Sequence, residues 1–212
     1  MKLNNLEFAL MNNPVRAWIQ RHVEAPLMIG PRGALHGLRV LELGCGRGVG
    51  VEILLDQMGA AEVVAFDIDP TMVALAEKRT ARFGDRVHLL VGDAERIDAP
   101  DAAFDAVVDF GILHHVPDWR QALAEVARVL KPGGVFYFED ILKGFTAAPL
   151  MIRLFDHPQV SQFGGQEFWR ALAGVGLRLD GRGRQLGEVG VMGRARRVRS
   201  PVPASTRPKV SL

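Results

Sequence analysis

The chain has 212 residues, 48% hydrophobic and 24% charged, with a formal net charge of +2, which is ample apolar material for one α/β domain without a disulfide or metal staple. Its one cysteine, Cys45, has no internal partner, no run approaches the roughly 20 apolar residues of a membrane span, and the N-terminal stretch lacks the apolar segment and cleavage site of a signal peptide. The expectation is therefore a soluble protein of the reducing cytoplasm. Charge is unevenly spread, nine Lys and Arg against two acids from Arg178 onward, but "RARRVRS" has no interleaved aromatics for base stacking, so it reads as an exposed strand face rather than a nucleic-acid surface.

Residues 1–37 read as a helical lead-in, not as a separate domain, and residues 38–198 as one domain. "LRVLELG" is a short buried strand that runs into Gly44, Gly46 and Gly48, after which "VGVEILLDQMG" has helical spacing. "EVVAFDI" is the second strand, followed by a helix over "DPTMVALAEKRTARFG" with Asp69 as N-cap, Pro70 at the first helical position and Gly84 past its end. "RVHLLVGD" and "FDAVVDFGI" are strands three and four. The helix "WRQALAEVARVLKPGG" then carries Leu123, Val126, Ala127 and Leu130 on one face and stops at Pro132, and "GVFYFED" is strand five. Residues 141–165 form an insertion, "QEFWRALAGVG" one more helix, and "LRLDG" and "GEVGVMGRA" two further strands; residues 199–212, rich in Pro and Ser, are expected to be disordered. Strand–helix alternation of this kind predicts a Rossmann-like, doubly wound, mainly parallel sheet.

Such a sheet places its ligand at the carboxyl ends of the strands. Four of those ends carry informative residues: the glycine loop, Asp67 in "AFDIDP", Asp93 in "VGDAERI", and "DFGILHHVPDW". A carboxylate nineteen positions past Gly48 is suited to the two hydroxyls of a ribose, and Asp93 to an exocyclic amine. Each acid has a plain alternative as a cap or a surface group; their order along successive strand ends is what gives them weight together. The loop reads G-x-G-x-G from Gly44, with Val49 where a dinucleotide fingerprint has its third glycine and Glu42 two residues ahead. A carboxylate there repels a diphosphate and suits a ligand with a cationic end, which disfavours a nicotinamide reductase and favours S-adenosylmethionine.

"VLELGCGRG", "AFDIDPTMVALA", "VGDAERI", "FDAVVDFGILHHVPD" and "LKPGGVFYFED" resemble the successive motifs of the class I S-adenosylmethionine-dependent methyltransferases over about residues 38 to 140. The resemblance implies a seven-stranded sheet whose last strand, near Val189 to Ala195, runs antiparallel between its neighbours. It also implies roles: Glu42, Gly44, Cys45 and Gly46 at the methionine end of the cofactor, Asp67 on the ribose, Ile68 against the adenine, Asp93 with Ala94 at the adenine edge, and Phe110 offering backbone. The look of "LHHVPD" with "ALAEVARVLKPGG" is similar to the small-molecule branch that includes quinone, sterol and natural-product enzymes. The turn after strand four reads "DFGI" and not the Asn/Asp-Pro-Pro-Tyr type used on base amines. No paired glutamates suggest arginine methylation, and no magnesium-ligand set stands out.

Methyl transfer from a sulfonium asks mainly for alignment; a general base is needed only for a nucleophile with a tightly held proton. His115 and His114 are the candidates, with a structural role in the loop as their alternative, and His157 stands further off. In this branch the N-terminal helix and the segment after strand five roof the acceptor. Here these carry Phe8, Met11, Trp18, Ile19, Leu27 and Met28, and Phe145, Leu150, Met151, Ile152, Leu154, Phe155 and Phe163. Packing is the plain reading of both stripes; as a pocket wall they imply a small hydrophobic acceptor, with Arg16, Arg21 and Arg153 for an anionic group. The expected protein is a monomer or homodimer, with peripheral membrane contact left open. Its alternative is a non-catalytic regulator that binds the same nucleoside.

Overall fold

The computed structural model describes residues 13–146, 162–181 and 183–198 of the chain. Strands β1 (Arg39–Leu43), β2 (Glu62–Asp67), β3 (Val87–Val91), β4 (Phe104–Phe110) and β5 (Leu130–Ile141) lie parallel in one sheet. β6 (Leu177–Leu179), β7 (Arg184–Leu186) and β8 (Gly190–Arg197) complete it. The order is β3-β2-β1-β4-β5-β8-β6, with β8 antiparallel to both its neighbours, so the expected reversed strand lies where the sequence puts it.

The difference is an eighth strand. β7 pairs with the edge of β8 that β5 leaves open, Arg184 opposite Met192, while Leu179 of β6 lies opposite Ala195. Four residues separate Leu179 from Arg184 where two separate Met192 from Ala195. β6 and β7 thus act as one border strand broken by two surplus residues, a bulge in all but name. All three residues of β7 are exposed, so it lacks the in–out alternation by which a strand is read from sequence.

Helix α1 runs in three stretches, Pro14–Ile19, a π-helical turn Gln20–Glu24, and Ala25–Met28. α2 is Val49–Glu52 continued by a π-helical turn Ile53–Gln57; α3 is Pro70–Thr80, α4 Trp119–Val129 and α5 Gly165–Gly174. The Asp69 side chain caps α3 by accepting from Thr71 N–H at 2.9 Å, with Pro70 behind it, as its sequence signature requires.

The sheet is covered on both faces. α1, α2 and α3 bury Ala25, Met28, Val51, Leu54 and Ala76 against Val40, Ala65, Val108 and Tyr137. α4 and α5 bury Leu123, Val126, Phe168 and Leu172 against Leu41, Val107, Phe136 and Phe138. Each such Leu or Phe contributes about 2 kcal/mol of transfer free energy, which makes this central slab a rigid base. Two members of the expected roof belong to it instead. Met28 is buried, and Phe163 stacks against Trp119 at 4.6 Å and Phe168 at 5.2 Å. Phe8, Met11, Leu150, Met151, Ile152, Arg153, Leu154, Phe155, His157 and the 199–212 tail lie outside the described residues. Among the described residues no helix is long and apolar enough to cross a membrane.

Candidate active site

At the end of β1 the chain turns on Gly44, whose φ is +65°; a Cβ there would stand 2.6 Å from Ile112 Cγ2. Both the left-handed backbone and the contact demand glycine. The turn is pinned to the next strand by backbone and carboxylate. Cys45 N–H donates to Phe66 O at 2.8 Å, Gly46 N–H to Asp67 Oδ2 at 2.9 Å, and Asp69 N–H to Asp67 Oδ1 at 2.9 Å. Asp67 is therefore held on two sides before any ligand arrives, its remaining lone pairs turned to the cavity.

That cavity encloses about 700 Å³ above the strand ends. Its wall brings together Glu42, Gly44, Cys45, Gly46, Asp67, Ile68, Asp93, Ala94 and Phe110, residues that the sequence nominates from four different strand ends, and His115 beside them. Asp93 is fixed by its own turn, accepting from Glu95 N–H at 2.9 Å. Cys45 is buried, and that burial with the nearby Glu42 and Asp67 carboxylates pushes its thiol pKa up, so it stands as a neutral apolar wall and not as a nucleophile.

Glu42 sets the electrostatics. It is buried on β1, and burial, then the Asp67 and Asp109 carboxylates, push its pKa well above the usual carboxylate range. Among the described residues its Oε2 has no hydrogen-bond partner. A buried acceptor in this state is costly unless a donor or a cation meets it. The ammonium end of a nucleoside-linked amino acid meets both needs, and a diphosphate neither. Gly50 makes room for it: a Cβ there would come within 1.7 Å of Glu42 Oε1. The sequence reading looks to position 49 for a third glycine and misses this one, because the need comes from a side chain on another strand and not from the backbone of the turn.

The two histidines part company. They lie in one 3₁₀ turn, Leu113–His115, yet His115 borders the cavity while His114 turns down into the protein. The rings stay in contact, centroids 3.9 Å apart. His114 Nδ1 lies 2.5 Å from Asp140 Oδ1, at the end of β5, and burial lowers its pKa to about 4. Asp140 also accepts from the backbone N–H groups of Leu113, His114 and Ile141, while burial drives its pKa up to about 8. Asp109 stands beside it, raised by burial and by the Asp140 carboxylate. His114 thus lies buried against Asp140 beneath the turn that presents His115, and not at the mouth of the cavity.

The roof is α1. Pro14, Ala17, Trp18, Arg21 and His22 line the cavity together with Ile112, Val116 and Pro117 from the turn after β4. Arg16 and Arg21 line it as well, but neither waits unpaired for an anion. Arg16 pairs with Glu24 and reaches Glu139 at the end of β5 at 3.4 Å, and Arg21 reaches Glu52 at 3.5 Å. Burial, with Glu24 adding to it, lifts Glu139 to about 9 against the pull of Arg16. No group of three or more His, Cys, Asp or Glu among the described residues is placed to hold a metal ion.

A family model described as a methyltransferase domain matches residues 41–138, the span from β1 to β5 whose strand ends line the cavity. A phthiotriol/phenolphthiotriol dimycocerosates methyltransferase of Mycobacterium tuberculosis is 36% identical over 107 residues, which cover 50% of this chain and 39% of that one. A demethylmenaquinone methyltransferase of Thermus thermophilus is 37% identical over 118 residues, 55% of this chain and 50% of that one; the chain spans half or less of the length of these relatives. A solved S-adenosylmethionine-dependent methyltransferase of Mesorhizobium loti shares the fold, with a TM-score of 0.64 at 19% identity over 77% of this chain and 92% of that one. With the glycine loop, Glu42, Asp67 and Asp93 all gathered around one cavity within or beside the matched span, residues 41–138 carry a methyltransferase domain similar to that of the S-adenosylmethionine-dependent methyltransferases, whose cofactor is S-adenosylmethionine.

Proposed function

We propose that the chain transfers a methyl group from S-adenosylmethionine to a small, hydrophobic organic acceptor by in-line displacement. The observation that carries this reading is the continuity of the cavity: one space of about 700 Å³ runs from the acids at the strand ends to the apolar underside of α1. It supports a ternary arrangement in a single chamber, where a pure nucleoside-binding site needs only the first half. Hydrophobic acceptors also accord with the relatives named for phthiotriol dimycocerosates and demethylmenaquinone.

Bound S-adenosylmethionine supplies an activated methyl on a cationic sulfur. The chain's own residues then align and shield. Glu42 and the N–H groups of the glycine loop take the amino-acid end, Asp67 the ribose hydroxyls, Asp93 and Ala94 the adenine edge, with Ile68 against its face. Phe110 holds the wall between them and the acceptor. Alignment of this kind supplies about 7 kcal/mol or more of barrier reduction. His115 accepts the proton of an acceptor hydroxyl or amine, and His114, fixed by Asp140, keeps that ring in place. Trp18, Ile112 and Val116 exclude water around the acceptor.

The test is a cofactor-saturated screen for S-adenosylhomocysteine release against quinones, phenols, amines and lipid extracts. Turnover with any of them, lost in Asp67→Ala, supports the proposal. Tight S-adenosylhomocysteine binding with no turnover on any extract favours a regulatory binding protein instead.

A further inference from the structure

One face of α1 is apolar and turned outward. Val15, Trp18, Val23 and Leu27 are 67%, 58%, 40% and 53% exposed. In an uninterrupted α-helix Leu27, twelve positions beyond Val15, falls about a third of a turn away. The π-helical turn at Gln20–Glu24 takes an extra residue for its turn and delays the phase, which returns Val23 and Leu27 to the side of Val15 and Trp18. The opposite side buries Ala25 and Met28 in the core. The insertion thus lines up a stripe that the regular helix would spread around its girth.

The exposed charge on residues 13–37 is positive: Arg32 is exposed, and Arg21, which also reaches Glu52 at 3.5 Å, is partly so. The one carboxylate between residues 13 and 37, Glu24, is turned inward against Arg16. An isologous contact between two copies would set these cations against themselves, which a two-fold interface penalises. An anionic lipid surface offers what the face needs: an apolar layer for the stripe, an interfacial level for Trp18, and negative headgroups for the arginines.

We infer that this face of α1 docks on an anionic membrane surface and that the acceptor enters the cavity from the bilayer along α1. Trp18 and His22 belong both to the exposed face and to the cavity wall, so docking puts the mouth of the chamber at the lipid boundary. The purpose of docking rests on the proposed hydrophobic acceptor, but the contact itself does not.

The test uses the full chain with neither cofactor nor acceptor, on vesicles of phosphatidylcholine with and without phosphatidylglycerol. Sedimentation should show binding about tenfold or more tighter with phosphatidylglycerol, and a drop of similar size in Val23→Asp/Leu27→Asp at unchanged melting temperature. Lipids brominated on the chain should quench tryptophan emission, and Trp18→Phe should remove that quenching, since Trp119 is buried and Trp169 packs on the sheet face opposite α1. Arg32→Glu should narrow the difference between the two vesicle types. No binding to either vesicle, binding undiminished in the double variant, or a dimer that the double variant abolishes would each overturn the inference. Methyl transfer is measured separately on acceptor dispersed in detergent, so a failure of the catalytic proposal is told apart from a failure of docking.

Discussion

The cavity has two halves that are built by different means. On the cofactor side, position is set by backbone and by neighbours close in sequence or on adjacent strands: Gly44 at the turn, Gly46 N–H on Asp67, Asp69 N–H on the same carboxylate. On the acceptor side it is set by side chains that meet across long stretches of chain, Arg16 with Glu139 and His114 with Asp140, at the ends of β5 and with shifted ionisation. Backbone geometry is stiff and tolerates little change, whereas ionisable side-chain contacts respond by degrees and with pH. The first half suits the proposed cofactor, a ligand that never varies; the second suits the proposed acceptor.

Variants that separate the halves follow from this. The largest effect is expected at their junction: His115→Ala should lower kcat by about 10² to 10⁴ for an acceptor that must lose a proton, with cofactor affinity by calorimetry unchanged. Asp140→Asn, which keeps the shape of the strut but cannot ionise, should lower kcat by about tenfold and shift the pH profile. On the cofactor side Asp67→Ala should weaken S-adenosylhomocysteine binding by about 100-fold or more, since it removes charge-assisted bonds to the ligand and the tether of Gly46 together. Glu42→Gln, isosteric and neutral, should weaken it by about tenfold, near 1.4 kcal/mol. In the parent protein affinity should rise with pH, because burial holds Glu42 protonated and it must lose that proton before it can pair with an ammonium. Equal losses of kcat and affinity in all four variants would erase the distinction between the halves.

The smallest effect is on stability. Glu139 and Asp140 have folded pKa values near about 9 and about 8, so the native state keeps protons that the unfolded chain releases. Their contribution is whole below the ordinary carboxylate range and is lost as pH rises through those values. His114, lowered to about 4, works the other way on the acid side, where stability is lost as pH falls from about 6.5. The melting temperature should therefore drop most steeply between about pH 6.5 and about 8, by a few degrees per unit, and Glu139→Gln should flatten that slope.

What could be read from the sequence follows the same division. The nine residues nominated at the strand ends line one cavity, and the parallel order, the reversed strand and the Asp69 cap are local patterns with one physical solution each and were readable. Gly50 was not, because the demand on it comes from Glu42 across a strand, nor were the fates of His114 and His115, adjacent residues whose sides are decided by Asp140 26 positions away. Arg16 looked like a ligand for an anion until Glu24 and Glu139 were found beside it. β7 left no trace since all three of its residues are exposed and show no in–out alternation.

The broken border formed by β6 and β7 has its own consequence. An open strand edge is a template on which a further polypeptide can add, and a long even one leads toward fibrils. Here the two surplus residues interrupt the ladder, Arg178 and Arg184 stand exposed on either side of the gap, and Asp180 at its start is taken by Arg196 at 2.8 Å. A newcomer finds only two three-residue footholds out of step with each other, so among the described residues the irregularity of this flank itself works against polymerisation.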